Sequence, residues 1–227
     1  TEFAGNKIRK LEFSVKEALN QGCDTLITCG GIQSNHARAT AAIAAKIGLK
    51  CHLFLRSDEH KLPQGNHLLD HLLGATVHRI TAKEYRESRM TLMEKLRVEL
   101  GNAYIIPEGA SNAIGTFGYF HALEEIIEQE KELGVNFDTI LCAVGSGGTY
   151  AGLVFSNAYH GYKKNIVGVN VCDSDDFFKD VTLSLLNPFK EYLKEEFECT
   201  REDLKIIDGY VGRGYALNTT QELQALR

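Results

Sequence analysis

The sequence predicts an α/β fold in which parallel sheets are covered by helices. Apolar runs with strand character alternate with helical runs along the whole chain, and several strand-like runs end in glycine-rich or small polar loops. The composition agrees with this class, since 44% of the 227 residues are hydrophobic and 24% are charged. Such a chain is long enough for one or two domains, each with a buried core.

The first half of the chain predicts four strands and three helices. Short apolar runs indicate strands, and apolar residues at helical spacing indicate helices. We expect strands at 24–30, 50–56, 75–80 and 103–107, and helices at 35–47, 63–73 and from about 81 to 100. The second of these helices should turn its leucines inward and stop at Gly74. These leucines are Leu62, Leu68, Leu69, Leu72 and Leu73.

The second half continues the same alternation. We expect helices at 116–133 and from the loop at 145–149 to about residue 160, and strands at 138–144, 165–171 and 204–208. A T-x-x-E capping box at 219–222 would open the final helix. The small polar loop at 108–115 is the best candidate for a seam between two α/β units.

Charge and cysteine content exclude several classes of protein. The net charge is −5 and the Lys and Arg residues are scattered, which argues against binding to nucleic acid or to an anionic membrane. No apolar run approaches the roughly 20 residues of a membrane span. The six cysteines form no CxxC pair and several lie in apolar runs, so we expect reduced thiols and a cytoplasmic protein. The chain starts without Met and stops in a helical run, so we expect it to be truncated at both ends.

The segment GGIQSNHAR at 30–38 could bind a small anion. Two glycines let the backbone approach a ligand, Ser34 is placed to cap the helix, and Asn35 and His36 add amide groups and polar side chains. The first amides of a helix have no intrahelical partner and carry the positive end of its dipole, so a carboxylate would be stabilised there. The alternative is an ordinary serine cap preceded by two turn glycines.

The segment VGSGGTYAG at 144–152 predicts a phosphate site. A glycine-rich turn between a strand and a helix binds phosphate through backbone amides, and Ser146 and Thr149 add hydroxyl groups. A dinucleotide site is the first alternative, because Asp173 follows the next strand. Tyr150, however, stands where that motif needs Gly or Ala. A tight packing turn is the second alternative.

Two weaker signals concern Lys7 and a histidine pair. A single lysine is usually a solvated charge, but an aldehyde cofactor with a phosphate would need a lysine amine beside such anion sites. His67 and His71 are four residues apart, which suits a metal, yet no Glu occupies position 68. We therefore expect an exposed helix face there and no metal site.

Four segments in this order resemble the pyridoxal-phosphate (PLP) enzymes that include D-cysteine desulfhydrase and 1-aminocyclopropane-1-carboxylate deaminase. They are GNKIRKLE, GGIQSNHAR, IPEGASNAIGTFGY and GSGGTYAG, and the resemblance covers roughly Phe3 to Arg227. It implies PLP fold type II, with two three-layer α/β domains, parallel sheets and the cofactor cleft between them. Residues 10–113 would form the smaller domain, and residues 1–9 and 114–227 would form part of the larger, cofactor-binding domain.

The resemblance also implies roles for single residues. Lys7 would bind the cofactor aldehyde covalently and move the Cα proton of the substrate, and Tyr215 resembles a tyrosine that faces the cofactor in the deaminases. The implied catalytic residues are Lys7, Ser34 and Tyr215. The implied cofactor-binding residues are Lys7, Lys10, Asn35, Ser146, Gly147, Gly148 and Thr149. The implied substrate-binding residues are Ser34, Asn35 and His36.

The helix start favours one member of this family. Ser34-Asn35-His36 resembles the desulfhydrases, whereas the deaminases carry SNQ, and this chain has no Trp. The resemblance thus implies a PLP-dependent lyase of amino-acid metabolism that converts D-cysteine to pyruvate, ammonia and hydrogen sulfide, acting as a cytoplasmic homodimer. One alternative is the deaminase reaction, which opens the cyclopropane ring to give 2-oxobutanoate and ammonia, or a related D-amino-acid lyase. A binding module without turnover is the other.

Overall fold

The computed structural model describes residues 4–58, 62–212 and 219–225. The chain forms two compact units, Thr1–Ala110 and Ser111–Arg227. Every strand pairing in both units is parallel, so the predicted α/β class is confirmed. The division into a smaller domain at 10–113 and a larger one at 1–9 and 114–227 stays a prediction.

The first unit contains a four-stranded sheet in the order β3-β2-β1-β4. Its strands are β1 (Thr25–Gly31), β2 (Lys50–Arg56), β3 (Thr76–Ile80) and β4 (Ala103–Ile105). Gly31 pairs with Arg56, and Arg56 pairs with Ile80, so the carboxyl ends of the strands are aligned. The loops that follow the strands therefore lie along one edge of the sheet, where ligands bind in parallel folds.

The described part of the first unit contains five helices. They are α1 (Lys7–Asn20), α2 (Asn35–Ile47), α3 (Gly65–Leu72), α4 (Ala82–Glu87) and α5 (Arg89–Leu100). On one face of the sheet, Leu11 of α1 and the alanines of α2 pack with Leu26 and Leu53. On the other face, α4 and α5 cover Ile27 and Phe54. Alternate residues of each strand thus reach opposite cores, as a doubly covered parallel sheet requires.

The predicted single helix at 81–100 is wrong, because the chain breaks at Ser88. The backbone of Ser88 has φ −134° and ψ −5°, which is not helical. Its amide closes α4 on the Glu84 carbonyl, and its carbonyl accepts from Leu92 in α5. One residue therefore ends the first helix and starts the second.

The buried face of α3 also differs from the prediction. Leu62, Leu68, Leu69 and Leu72 are exposed, and only Leu73 is packed against the core. The buried side chains are His67 and Asp70. Asn66 fixes this face, because its amide donates to Gln33 Oε1 and its Nδ2 to the Gln33 carbonyl. A hydrogen-bonded anchor at the helix start thus outweighs the leucine pattern.

The second unit contains a three-stranded sheet in the order β5-β6-β7. Its strands are β5 (Thr139–Val144), β6 (Asn165–Asn170) and β7 (Lys205–Ile207), and its helices are α6 (Ala113–Leu133), α7 (Gly148–His160), α8 (Asp175–Leu193) and α9 (Thr220–Ala225). Phe120 of α6, Phe155 of α7 and Phe189 of α8 meet in one core with Ile166 of β6. Each of the strands predicted for this half is present.

Helix α7 is held closely against its neighbours. A Cβ on Gly152 would lie 2.5 Å from the Thr116 carbonyl oxygen and 2.8 Å from the Phe120 amide nitrogen of α6, so only glycine fits this crossing. Tyr150 is fully buried, and its hydroxyl accepts from the Lys205 amide at 2.7 Å. These contacts fix the start of α7 relative to the sheet. None of the helices in the described residues has the length and apolar character of a membrane span.

Candidate active site

The turn from β1 into α2 is built around Ser34. Its hydroxyl accepts from the Ala37 amide at 3.2 Å, so it caps the helix as predicted. Ser34 is buried, and a Cβ on Gly30 would lie only 2.6 Å from the Ser34 hydroxyl oxygen. Glycine at position 30 therefore lets the cap fold back onto the strand end. The first amides of α2 remain at the positive end of the helix, where a carboxylate is stabilised.

Asn35 is the first residue of α2 and is oriented by a neighbouring helix. Its side-chain oxygen accepts from Nδ2 of Asn66 at 2.8 Å. This bond identifies the side-chain nitrogen of Asn35 as the end that donates. A donor amide suits the predicted contact with an anionic ring oxygen of the cofactor. Asn66 had not been selected from the sequence, because its role depends on how α3 meets α2.

The ring of His36 is held inside the first unit by a buried hydrogen bond. The ring is buried, and its Nε2 lies 2.8 Å from the hydroxyl oxygen of Thr28. The Thr28 hydroxyl donates to the Ile106 carbonyl at 2.7 Å, so His36 Nε2 is the donor to Thr28. Burial, together with the charges of Lys10 and Lys7, lowers the pKa of His36 to about 3. The imidazole is thus neutral at physiological pH.

Lys7 and Lys10 lie on the first turn of α1 and face the same region. Burial lowers the pKa of the Lys7 amine, whose Nζ lies 3.2 Å from Asn6 Oδ1. Lys10 is fully buried, and burial followed by the charge of Lys7 holds its pKa well below the usual value. Because both lysines also depress the pKa of His36, the three residues share one neighbourhood in the first unit. Anionic groups would be stabilised there.

Glu108 is a further charged residue of this neighbourhood. It follows β4 and Pro107 and begins a short 3-10 turn, and its side chain is exposed. Its negative charge raises the pKa of Lys7 and so opposes the lowering that burial causes. The same charge adds to burial in raising the pKa of Cys29 to about 11. The sequence reasoning passed over Glu108, although its position directly after a strand was a usable signal.

The second unit carries the predicted phosphate loop between β5 and α7. Gly147 is the N-cap residue of α7. Because glycine has no side chain, it cannot accept a hydrogen bond from the first amides of the helix. Its φ is +83°, and a Cβ there would lie 2.7 Å from Val181 Cγ1. Glycine is therefore required for the shape of the loop. Ser146 and Thr149 add hydroxyl groups that suit a phosphate, and the Gly148 amide donates to Ser111 Oγ at 3.3 Å.

The remaining residues considered in the sequence are Tyr215, the histidine pair His67 and His71, and Tyr150. Tyr215 lies outside the described residues, and its role stays a prediction. His71 is exposed as expected, but His67 is buried, and the Nε2 atoms of the two rings are 3.1 Å apart. No group of three or more metal-ligating side chains occurs within 4–58, 62–212 and 219–225. Tyr150, which argued against a dinucleotide site, is a core residue of α7.

These groups fit the chemistry of PLP. A primary amine with a lowered pKa is what an aldehyde cofactor requires, and Lys7 provides it. The start of α7 offers backbone amides that suit a phosphate monoester, and glycine is needed at position 147 because an added Cβ would lie 2.7 Å from Val181 Cγ1. A fully buried Lys10 gains from a nearby anion. The individual assignments to the cofactor and the substrate remain proposals.

Comparison with known proteins gives one consistent family. The family described as "Pyridoxal-phosphate dependent enzyme" matches residues 1–227. The "Bifunctional D-cysteine desulfhydrase/1-aminocyclopropane-1-carboxylate deaminase, mitochondrial" of Arabidopsis thaliana is 40% identical over 238 residues, covering 100% of this chain and 58% of the relative. The "D-cysteine desulfhydrase" of Serratia proteamaculans (strain 568) is 42% identical over 173 residues, covering 74% of this chain and 52% of the relative.

A solved structure agrees with the sequence relatives. The protein described as an "ACC deaminase homologue" superimposes with a TM-score of 0.80 at 35% identity, covering 91% of this chain and 62% of that one. The chain therefore spans between about half and two thirds of the length of these relatives. The resemblance in the four segments is confirmed, and the fold is the one expected of type II. On this evidence the chain belongs to the family of pyridoxal-phosphate-dependent enzymes.

Proposed function

We propose that this chain carries the catalytic lysine and the phosphate loop of a lyase that converts D-cysteine and water to pyruvate, ammonia and hydrogen sulfide. The observation that carries the proposal is Lys7, a half-buried amine of lowered pKa on the unit that also holds the anion-binding helix start at 34–36. The two sequence relatives whose names include D-cysteine desulfhydrase support the substrate. Ser34-Asn35-His36 supports it further, because the resemblance links this triplet to the desulfhydrases.

The resemblance assigns each proposed cofactor-binding residue to one part of PLP. Lys7 would bind its aldehyde end, and Ser146, Gly147, Gly148 and Thr149 its phosphate end. Lys10 would lie near the phosphate and add a positive charge, and Asn35 would donate to the 3′ oxygen of the ring. When bound, PLP supplies an electron-withdrawing ring that stabilises negative charge at the substrate Cα.

Lys7 would act as the base that removes the Cα proton. An amine must be unprotonated to accept a proton, and burial favours this state by lowering the pKa of Lys7. Ser34 and the amides of Asn35 and His36 would hold the substrate carboxylate. Because the carboxylate is fixed, the Cα–H bond of one enantiomer points toward the lysine. The direction of the Cα–H bond, and not its acidity, would then set the preference for D-cysteine over L-cysteine.

The experiment is an assay of the PLP-loaded protein with D-cysteine, L-cysteine and 1-aminocyclopropane-1-carboxylate. Sulfide and pyruvate should form from D-cysteine at least about tenfold faster than from L-cysteine. Lys7→Ala should lower the rate by at least about a thousandfold, because it removes both the anchor and the base. Lys16→Ala on the exposed side of the same helix is the matched control and should keep the rate. Full sulfide release by Lys7→Ala would refute the role of Lys7.

The deaminase reaction is the second candidate. The Arabidopsis thaliana relative carries both activities in its name, so the two reactions occur in one related protein. Release of 2-oxobutanoate from 1-aminocyclopropane-1-carboxylate, with no sulfide from D-cysteine, would favour this candidate over the first. Formation of both products would assign the chain to the bifunctional type.

We also propose a cytoplasmic homodimer that acts on a small amino acid. All six cysteines are free, which agrees with a reducing compartment. The word mitochondrial in the name of the Arabidopsis thaliana relative makes an organelle the alternative. Light scattering of the purified protein should give twice the chain mass, and fractionation of cells of the source organism would test the compartment.

A further inference from the structure

Ser111 connects the loop before α6 with the predicted phosphate loop within the second unit. It lies in the loop before α6, outside the phosphate loop itself. Its hydroxyl donates to the hydroxyl oxygen of Ser146 at 2.8 Å and accepts from the Gly148 amide at 3.3 Å. Both contacts are made with the residues that we propose for the cofactor phosphate.

These contacts supply what the start of α7 lacks. A helix is normally capped by a serine, threonine or aspartate at the N-cap, whose oxygen accepts from an amide of the first turn. Gly147 occupies the N-cap of α7 and provides no such oxygen. Ser111 accepts from the first amide of the helix instead, although it is 37 residues away in the sequence. The loop keeps the glycine that its shape needs, and a distant serine takes over part of the cap.

The bond to Ser146 also decides which way that hydroxyl points. A hydroxyl group has one proton to donate and two lone pairs that accept. Because Ser146 accepts from Ser111, its own proton remains available for another acceptor, and the described residues provide none. A phosphate oxygen would use this proton. Ser111 thus prepares Ser146 as a donor before any ligand arrives.

We propose that Ser111 is a positioning residue for the phosphate end of the cofactor. It holds the cap of α7 and orients the Ser146 hydroxyl, so that the loop is preorganised for a phosphate monoester. The proposal rests on the assignment of the phosphate loop at 146–149. Its chemical consequence is selectivity: Ser111 should matter for ligands that carry the phosphate and not for the same ring without it.

The experiment compares two ligands of the protein freed of cofactor. Dissociation constants for PLP and for pyridoxal, which lacks the phosphate, are measured by equilibrium dialysis. Ser111→Ala should weaken PLP binding roughly tenfold and leave pyridoxal binding within about twofold. Ser111→Thr keeps the hydroxyl and should recover most of the affinity for PLP. Ser156→Ala is the matched control, because it removes a buried α7 hydroxyl that has no hydrogen-bond partner among the described residues.

The outcomes separate this inference from the phosphate loop on which it depends. Equal weakening of both ligands by Ser111→Ala would indicate a general structural role and overturn the proposal. Unchanged PLP binding in Ser111→Ala, with weaker binding in Ser146→Ala, would overturn the role of Ser111 alone. Unchanged PLP binding in Gly147→Ala, whose added Cβ would lie 2.7 Å from Val181 Cγ1 and disturb the loop, would reject the phosphate loop itself. If Ser111→Ala does not fold, the Ser111→Thr result decides, since loss of PLP selectivity there would contradict the proposal.

Discussion

Lys7 is subject to two opposing influences on its pKa. Burial lowers the pKa of the amine, and the carboxylate of Glu108 raises it. The first influence is the larger, so the amine loses its proton at a lower pH than a solvated lysine would. The pKa of the base proposed for the reaction is therefore tuned by the exposed carboxylate of Glu108.

Glu108→Gln should shift the pH profile of the reaction. Removing the negative charge takes away the influence that raises the pKa of Lys7, so the pKa should fall. The rising limb of kcat/KM against pH should then move to lower pH, by less than about one unit. Glu12→Gln, an exposed carboxylate on α1, is the control and should leave the limb in place. A shift to higher pH in Glu108→Gln would contradict the account.

Asp70 carries a buried carboxyl group on α3. It is 1% exposed, and neither side-chain oxygen has a partner among the described residues. Burial raises its pKa from 3.8 to about 7, although the charge of Arg38 acts in the opposite direction. The folded chain therefore holds a proton on Asp70 over a pH range in which the unfolded chain has lost it.

The stability of the first unit should fall as the pH rises from about 4 to about 7. In this window the folded state binds one more proton than the unfolded state, so raising the pH favours unfolding by up to a few kcal/mol. Asp70→Asn removes the titration and should flatten this slope in urea unfolding at pH 5, 6 and 7. A slope of the same size in Asp70→Asn would show that another group is responsible.

The crossing of α6 and α7 is the tightest helix contact described in the second unit. Glycine in the middle of a helix normally costs about 0.5–1 kcal/mol relative to alanine. At Gly152 this order should be reversed, because an added Cβ would lie 2.5 Å from the Thr116 carbonyl oxygen. Gly152→Ala should lower the free energy of unfolding by about 1–3 kcal/mol, measured in urea.

Gly134 provides the comparison for this substitution. It ends α6 with φ +66°, and an added Cβ would meet nothing within 4 Å. Gly134→Ala therefore carries only the cost of the left-handed backbone, about 1 kcal/mol. A gain in stability from Gly152→Ala would mean that the two helices can move apart.

Periodicity predicted most elements of the chain but not all of them. Helix α2 begins and ends where expected because Ser34 and Gly48 form both caps. Helix α8 was not predicted, although its buried residues Phe178, Thr182 and Phe189 stand at helical spacing. Pro188 lies inside this helix, and proline usually argues against a helix interior. The leucines of α3 were expected to be buried and are exposed, so the spacing of apolar residues does not by itself identify the buried face of a helix.

At the scale of the whole molecule, the sequence located the site segments but not their supporting contacts. Ser34, Asn35 and the loop at 146–149 were recognisable because they follow strands and open helices. Asn66, Glu108 and Ser111 were not selected, because their partners lie more than 30 positions away in the chain. Asn66 and Ser111 act through hydrogen bonds, and Glu108 acts through its charge. Contacts of this kind require the three-dimensional arrangement.

The central claim is that Lys7 binds the cofactor aldehyde. Lys10 is the strongest rival, because it is fully buried and its pKa is also held well below the usual value. The most direct measurement is borohydride reduction of the PLP-loaded protein, followed by digestion and mass spectrometry of the lysine peptides. The account predicts a pyridoxyl group on Lys7. A pyridoxyl group on Lys10 or on any other lysine, with Lys7 unmodified, would contradict it.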